Sequence, residues 1–159
     1  MPLTEPQFYK PESYTPHGSL VYLMLRNKSV YQRIADISLS DLGVTAAQMS
    51  VLMMVAHNEE PTISSISQLL GIHAAATVRM IHKLESMELI KKIQSDSDKR
   101  VFHLSLTQSG SKLAKRIPER LCGLLNRSLM GFTHAEFDQF KDFLLRIEKN
   151  NALQLKDLS

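Results

Sequence analysis

The chain has 159 residues, 43% of them hydrophobic and 22% charged, with one cysteine and no tryptophan. That length supplies about one domain with a real core, and the balance excludes a collagen-like, disulfide-stapled or broadly disordered chain. Nineteen Lys and Arg against sixteen Asp and Glu leave a net charge of +3, which permits nucleic-acid binding without requiring it.

The longest clean apolar run, Val51 to Ala56, is far short of the ~20 residues of a membrane-spanning helix. The N-terminus has no cationic start and no apolar stretch behind it, so neither a signal peptide nor a membrane partner is expected. Cys122 alone cannot close an intrachain disulfide, and a cytoplasmic location is the expectation.

Residues 1–16 carry Pro2, Pro6, Pro11 and Pro16 and read as an extended arm. From His17 onward Leu20, Leu23, Met24, Val30, Tyr31, Ile34 and Ile37 recur at steps of mostly three and four, which predicts a long amphipathic helix. Gly43 breaks it. Thr45 and Gln48 then form a capping box that opens a second helix running to about His57. After Pro61, Thr62 caps a short helix from Ile63 to Leu70, and Gly71 closes it. A fourth helix begins near Ala74 and ends near Met87. Two short helices joined by a tight glycine-containing turn form a helix-turn-helix, whose second helix enters the DNA major groove.

Leu89–Gln94 and Val101–Leu106 alternate in polarity and flank the polar, turn-forming stretch from Ser95 to Arg100. This predicts a β-hairpin with a charged tip, a wing. Thr107 opens a further helix carrying Leu113, Ile117, Leu121, Leu124 and Leu125, which Pro118 should bend. A capping box at Thr133 and Glu136 starts a last helix with Phe137, Phe140, Leu144 and Ile147 on one side.

The expected fold is therefore mainly α with a small β-wing. A winged helix-turn-helix over residues 43–110 follows the arm at 1–16, and dimerisation helices flank it at 17–42 and 111–159. Leu20, Val21, Phe137, Phe140, Phe143, Leu144 and Ile147 make more apolar stripe than a lone winged helix covers, which points to a homodimer.

Local strings carry a family resemblance. Leu84-Glu-Ser-Met-Glu-Leu-Ile-Lys-Lys92, Asp98-Lys-Arg100, Leu106-Thr-Gln-Ser-Gly110 and Thr77-Val-Arg79 resemble, in order and spacing, the recognition helix, wing and wing exit of the MarR (multiple-antibiotic-resistance regulator) family. The specific part covers about residues 44–110. The resemblance implies a transcription regulator on a pseudo-palindromic double-stranded operator, with repression of nearby genes released by a small effector such as an aromatic acid. Two departures stand out. Glu88 replaces the usual helix-ending glycine, and Lys92 and Lys99 replace arginines, giving a point charge for a planar fork.

On the fourth helix, Thr77, Met80, Ile81, Leu84 and Met87 form an inward stripe, while Ala75, Ala76, Arg79, His82, Lys83 and Ser86 face outward with no acid among them. Ala75 and Ala76 let the backbone approach base edges, and Arg79 suits a bidentate contact to guanine. Lys83 and His82 are placed for phosphates. Lys99 and Arg100 at the wing tip suit phosphate or minor-groove contact, with Asp96 or Asp98 bracing Arg100. From His73 to Arg100 six Lys and Arg stand against four acids.

Cys122, among Leu121, Leu124 and Leu125, reads as a small packed hydrophobe rather than a redox switch. The six histidines show no ligand spacing, so no metal is expected. Nor does any phosphate loop, nucleophile elbow or carboxylate pair appear, so no catalytic residue and no cofactor are expected. Tyr22 and Arg26, one turn apart, are candidates to hold an aromatic acid, the arginine pairing with its carboxylate. Met24, Met49, Met53, Met54, Met80 and Met87 could line such a pocket. The alternative is a winged-helix protein–protein interaction module that never meets DNA.

Overall fold

The computed structural model describes residues 7–96 and 98–158. Its helices are α1 (Leu20–Ser38), α2 (Ala46–His57), α3 (Ile63–Leu70), α4 (Ala74–Ser86), α5 (Gln108–Ser128) and α6 (His134–Asp157). Two antiparallel strands, β1 (Ile90–Gln94) and β2 (Phe102–Leu106), stand between α4 and α5, with Ile90 opposite Leu106 and Gln94 opposite Phe102. The chain divides into two compact units, one ending at Arg120 and the other beginning at Leu121.

In the first unit α2, α3 and α4 pack on one another, and α2 also meets α1 and β2. Val51, Leu52, Ile66, Ile81, Leu84 and Ile117 are fully buried at its centre. The Thr45–Gln48 capping box closes at the start of α2. Asp36, on α1, adds a further acceptor there for the Ala46 N–H at 2.6 Å. Such side-chain acceptors satisfy donors that the first helical turn leaves orphaned. Thr62 also forms a reciprocal box, with Ser65 in the place usually taken by Glu or Gln.

Residues 11–13 and 16–18, read as arm and helix start, form two 3-10 turns with proline at the first position of each. Proline's fixed φ suits that position, where its missing N–H is not needed. The segment folds back on α1, because the Tyr9 hydroxyl accepts the Leu20 N–H at 2.8 Å and the Tyr9 and Tyr14 rings meet edge to face. Pro2 and Pro6 lie outside the described residues.

Two chain reversals bracket α4. Gly71, at φ +60°, ends α3, with the Gly71 N–H donating to Gln68 and the Ile72 N–H to Ser67. The same arrangement ends α4. There the Glu88 N–H donates to Glu85 and the Leu89 N–H to Leu84, while Glu88 itself sits at φ +55°. The left-handed stop thus survives the loss of glycine, with the side chain carrying the strain.

The second unit comprises the end of α5 and α6. Cys122, expected in a packed face, is exposed. Its leucine neighbours in sequence differ among themselves, for Leu124 is buried and Leu125 is 46% exposed. Each successive residue turns by about 100° around a helix, so neighbours in sequence need not share a face. α6 buries no residue, and Phe137, Phe140, Phe143 and Leu144 stand exposed along it.

Candidate nucleic-acid interface

α4 turns two distinct faces. Thr77, Ile81 and Leu84 are buried, with Met80 and Met87 half-buried beside them. Ala75, Arg79, His82, Lys83 and Ser86 are exposed, and Ala76 lies half-buried at their edge. Among the described residues, neither Arg79 nor Lys83 has an ion-pair partner. Small side chains at the leading end and cations behind them leave a face that can come close to a polyanion.

His82 is placed differently, because its Nδ1 lies 3.3 Å from Glu85 Oε2. Lys92, on β1, reaches the same oxygen at 2.9 Å. Lys92 is thereby turned toward the helix, a role its sequence position did not signal.

The wing tip is held by its own backbone. The Ser95 N–H donates to Val101 O, the Val101 N–H to Asp98 O and Gln94 Nε2 to Lys99 O. Asp98 Oδ1 accepts the Arg100 N–H at 2.9 Å. The expected brace is therefore Asp98, acting on the Arg100 backbone and leaving the guanidinium out of that bond. Lys99 and Arg100 are both exposed. Ser97 lies outside the described residues.

At the wing base the Leu104 N–H donates to Pro61 O at 2.7 Å. His103 places Nδ1 at 2.9 Å from the Glu60 carbonyl oxygen and Nε2 at 3.8 Å from its carboxylate. These contacts tie β2 to the loop after α2 and set the wing's direction. Sequence spacing gave no hint of them, because 43 residues separate the partners.

Tyr22 and Arg26 are not gathered into one pocket. Tyr22 is half-buried, packs edge to face against His17 at 4.8 Å, and lines a cavity of about 510 Å³ with Tyr9, Tyr14, Val21 and Leu25. Arg26 is exposed and outside that lining. Among the described residues no three His, Cys, Asp or Glu side chains gather to hold a metal, and no helix is long and apolar enough to cross a membrane.

Residues 44–102, from the buried Val44 to the start of β2, match the MarR family model. Through this winged helix the chain resembles the MarR family. It is 25% identical to the HTH-type transcriptional regulator YybA of Bacillus subtilis, over 74% of this chain and 78% of that one. It is 27% identical to the HTH-type transcriptional repressor MdtR of the same organism, over 74% and 77%. A MarR family regulator from Listeria monocytogenes, solved with a 26mer DNA, shares the fold. Its TM-score is 0.81 at 24% identity, over 86% of this chain and 91% of that one.

Proposed function

We propose that this chain is a MarR-family, homodimeric, sequence-specific DNA-binding transcription regulator that represses nearby genes until a small effector releases it. One observation carries the reading: the exposed, acid-free row of Ala75, Arg79, His82 and Lys83 on α4, with Lys99 and Arg100 exposed at the wing tip. A base-reading helix flanked by a basic wing is what a duplex with a charged backbone requires. The DNA in the Listeria structure and the repressor name of MdtR support it by likeness.

Residues 43–110 read DNA, and the segments at 17–42 and 111–159 dimerise. The exposed apolar rows on α1 (Leu20, Val21, Leu25) and on α6 (Phe137, Phe140, Phe143) support the dimer. Each row is too apolar to leave in water. The effector meets the aromatic cavity that Tyr22 lines, whose apolar walls suit a planar ring.

The experiment is a footprint and a salt-titrated mobility shift on the intergenic DNA flanking the gene. A protected pseudo-palindrome, with half-sites about one helical turn apart, is expected. Absence of any shift, specific or not, at low salt would replace this reading with that of a protein–protein interaction module.

A further inference from the structure

Glu85 sits half-buried in the last turn of α4, and one oxygen of its carboxylate takes partners from two elements. His82 Nδ1 lies 3.3 Å away on α4 and Lys92 Nζ 2.9 Å away on β1. The His82 side chain is 63% exposed, whereas those of Glu85 and Lys92 are 26% and 28% exposed. Glu85 and Lys92 are thus the shielded pair, and His82 is the member that reaches solvent.

We propose that Glu85 is the positioning residue of the DNA-contacting face: it aims His82 at a DNA phosphate and, through Lys92, sets the wing against the recognition helix. This rests on the DNA-binding reading above. An exposed imidazole turns freely about χ1 and χ2. The Glu85 carboxylate, 3.3 Å from Nδ1, favours one ring orientation and leaves Nε2 for another partner. Arg79 and Lys83, with no such tether, are oriented by the helix alone. Lys92 fixes the other side of the joint, because a shielded pair is less screened than an exposed one.

The charged groups around the ring are Glu85, Arg79 and Lys83 on α4 and Lys92 on β1.

The test uses the full chain and the footprinted operator at fixed salt and pH, with affinity measured and phosphates mapped by ethylation interference. His82→Gln and Glu85→Gln should bind several-fold more weakly and lose the same phosphate. Lys92→Met should keep that phosphate and weaken only the phosphates under Lys99 and Arg100. Circular dichroism checks that each variant is folded. If folded Glu85→Gln keeps the His82 phosphate, the proposal is overturned. Loss of that phosphate in Lys92→Met would overturn it equally, since general disorder of the joint would then explain everything. Wild type that binds no DNA overturns the functional reading itself, and this inference with it.

Discussion

The carbonyl oxygen of Leu89 occupies the place where residue 110 would carry a side chain: a Cβ added to Gly110 would lie 1.9 Å from it. The same oxygen accepts the Thr107 N–H at 3.1 Å. The Thr107 hydroxyl caps α5 by accepting the Gly110 N–H and donates to the Glu88 carbonyl. The exit from α4 is thus clasped to the start of α5, which gives the Leu106-Thr-Gln-Ser-Gly110 string its physical cause.

Gly110→Ala is therefore expected to cost about 3 kcal/mol, since a buried backbone atom must move to admit the methyl group. Urea unfolding, read as a shift in midpoint at constant slope, measures it. A loss below about 0.5 kcal/mol, the range of neutral surface changes, would mean that the clasp yields freely.

Glu88→Gly should act in the opposite direction. A side chain in the left-handed region costs about 1–2 kcal/mol. Glycine removes that strain but adds freedom to the unfolded chain, worth up to about 1 kcal/mol. The expected net gain is about 0.5–1 kcal/mol, visible as a higher melting temperature. Gly71→Ala, at φ +60° with open space around it, should lose a similar amount for the same reason. A drop in stability for Glu88→Gly would show that its side chain contributes more than its backbone costs.

At the start of α6 the Glu136 carboxylate accepts the Thr133 N–H and the Thr133 hydroxyl, each at 2.8 Å. The Thr133 backbone bond, and then its hydroxyl, hold the Glu136 pKa below its ordinary value of 4.5. A depressed carboxylate stabilises the fold fully above its unfolded value and loses that contribution as pH falls through the folded one. The protection of the Thr133 amide, taken relative to intrinsic exchange at each pH, should therefore fall on acidification below pH 4.5. Glu136→Gln, which stays neutral, should remove that pH dependence. Unchanged Thr133 protection across this range in wild type would refute the box as a pH-dependent cap.

On DNA, Arg79 and Lys99 should fail differently. Arg79→Ala is expected to cost about 1–3 kcal/mol on the operator and to relax base preference at one position per half-site. Lys99→Ala should weaken all sequences alike and flatten the log–log salt dependence by about one unit for each phosphate left without its cation. Salt titration of both variants on operator and scrambled DNA separates them. Equal losses on both DNAs for Arg79→Ala would rule out α4 as a base reader.

The sequence by itself determined what lies within a turn or a strand. The Thr45 and Thr133 boxes, the stop at Gly71, the two faces of α4 and the alternation of the wing all follow from spacings of two, three and four residues. Covalent geometry alone brings such neighbours together. Tertiary structure decided everything that needs two elements to meet. Glu85 facing Lys92, His103 on Glu60, Asp36 on the start of α2 and Leu89 against Gly110 have no local signature, because packing angles and strand register set those distances. Exposure of Cys122 belongs with them. A helix face is buried only where another element covers it, and residues adjacent in sequence do not record where that element lies.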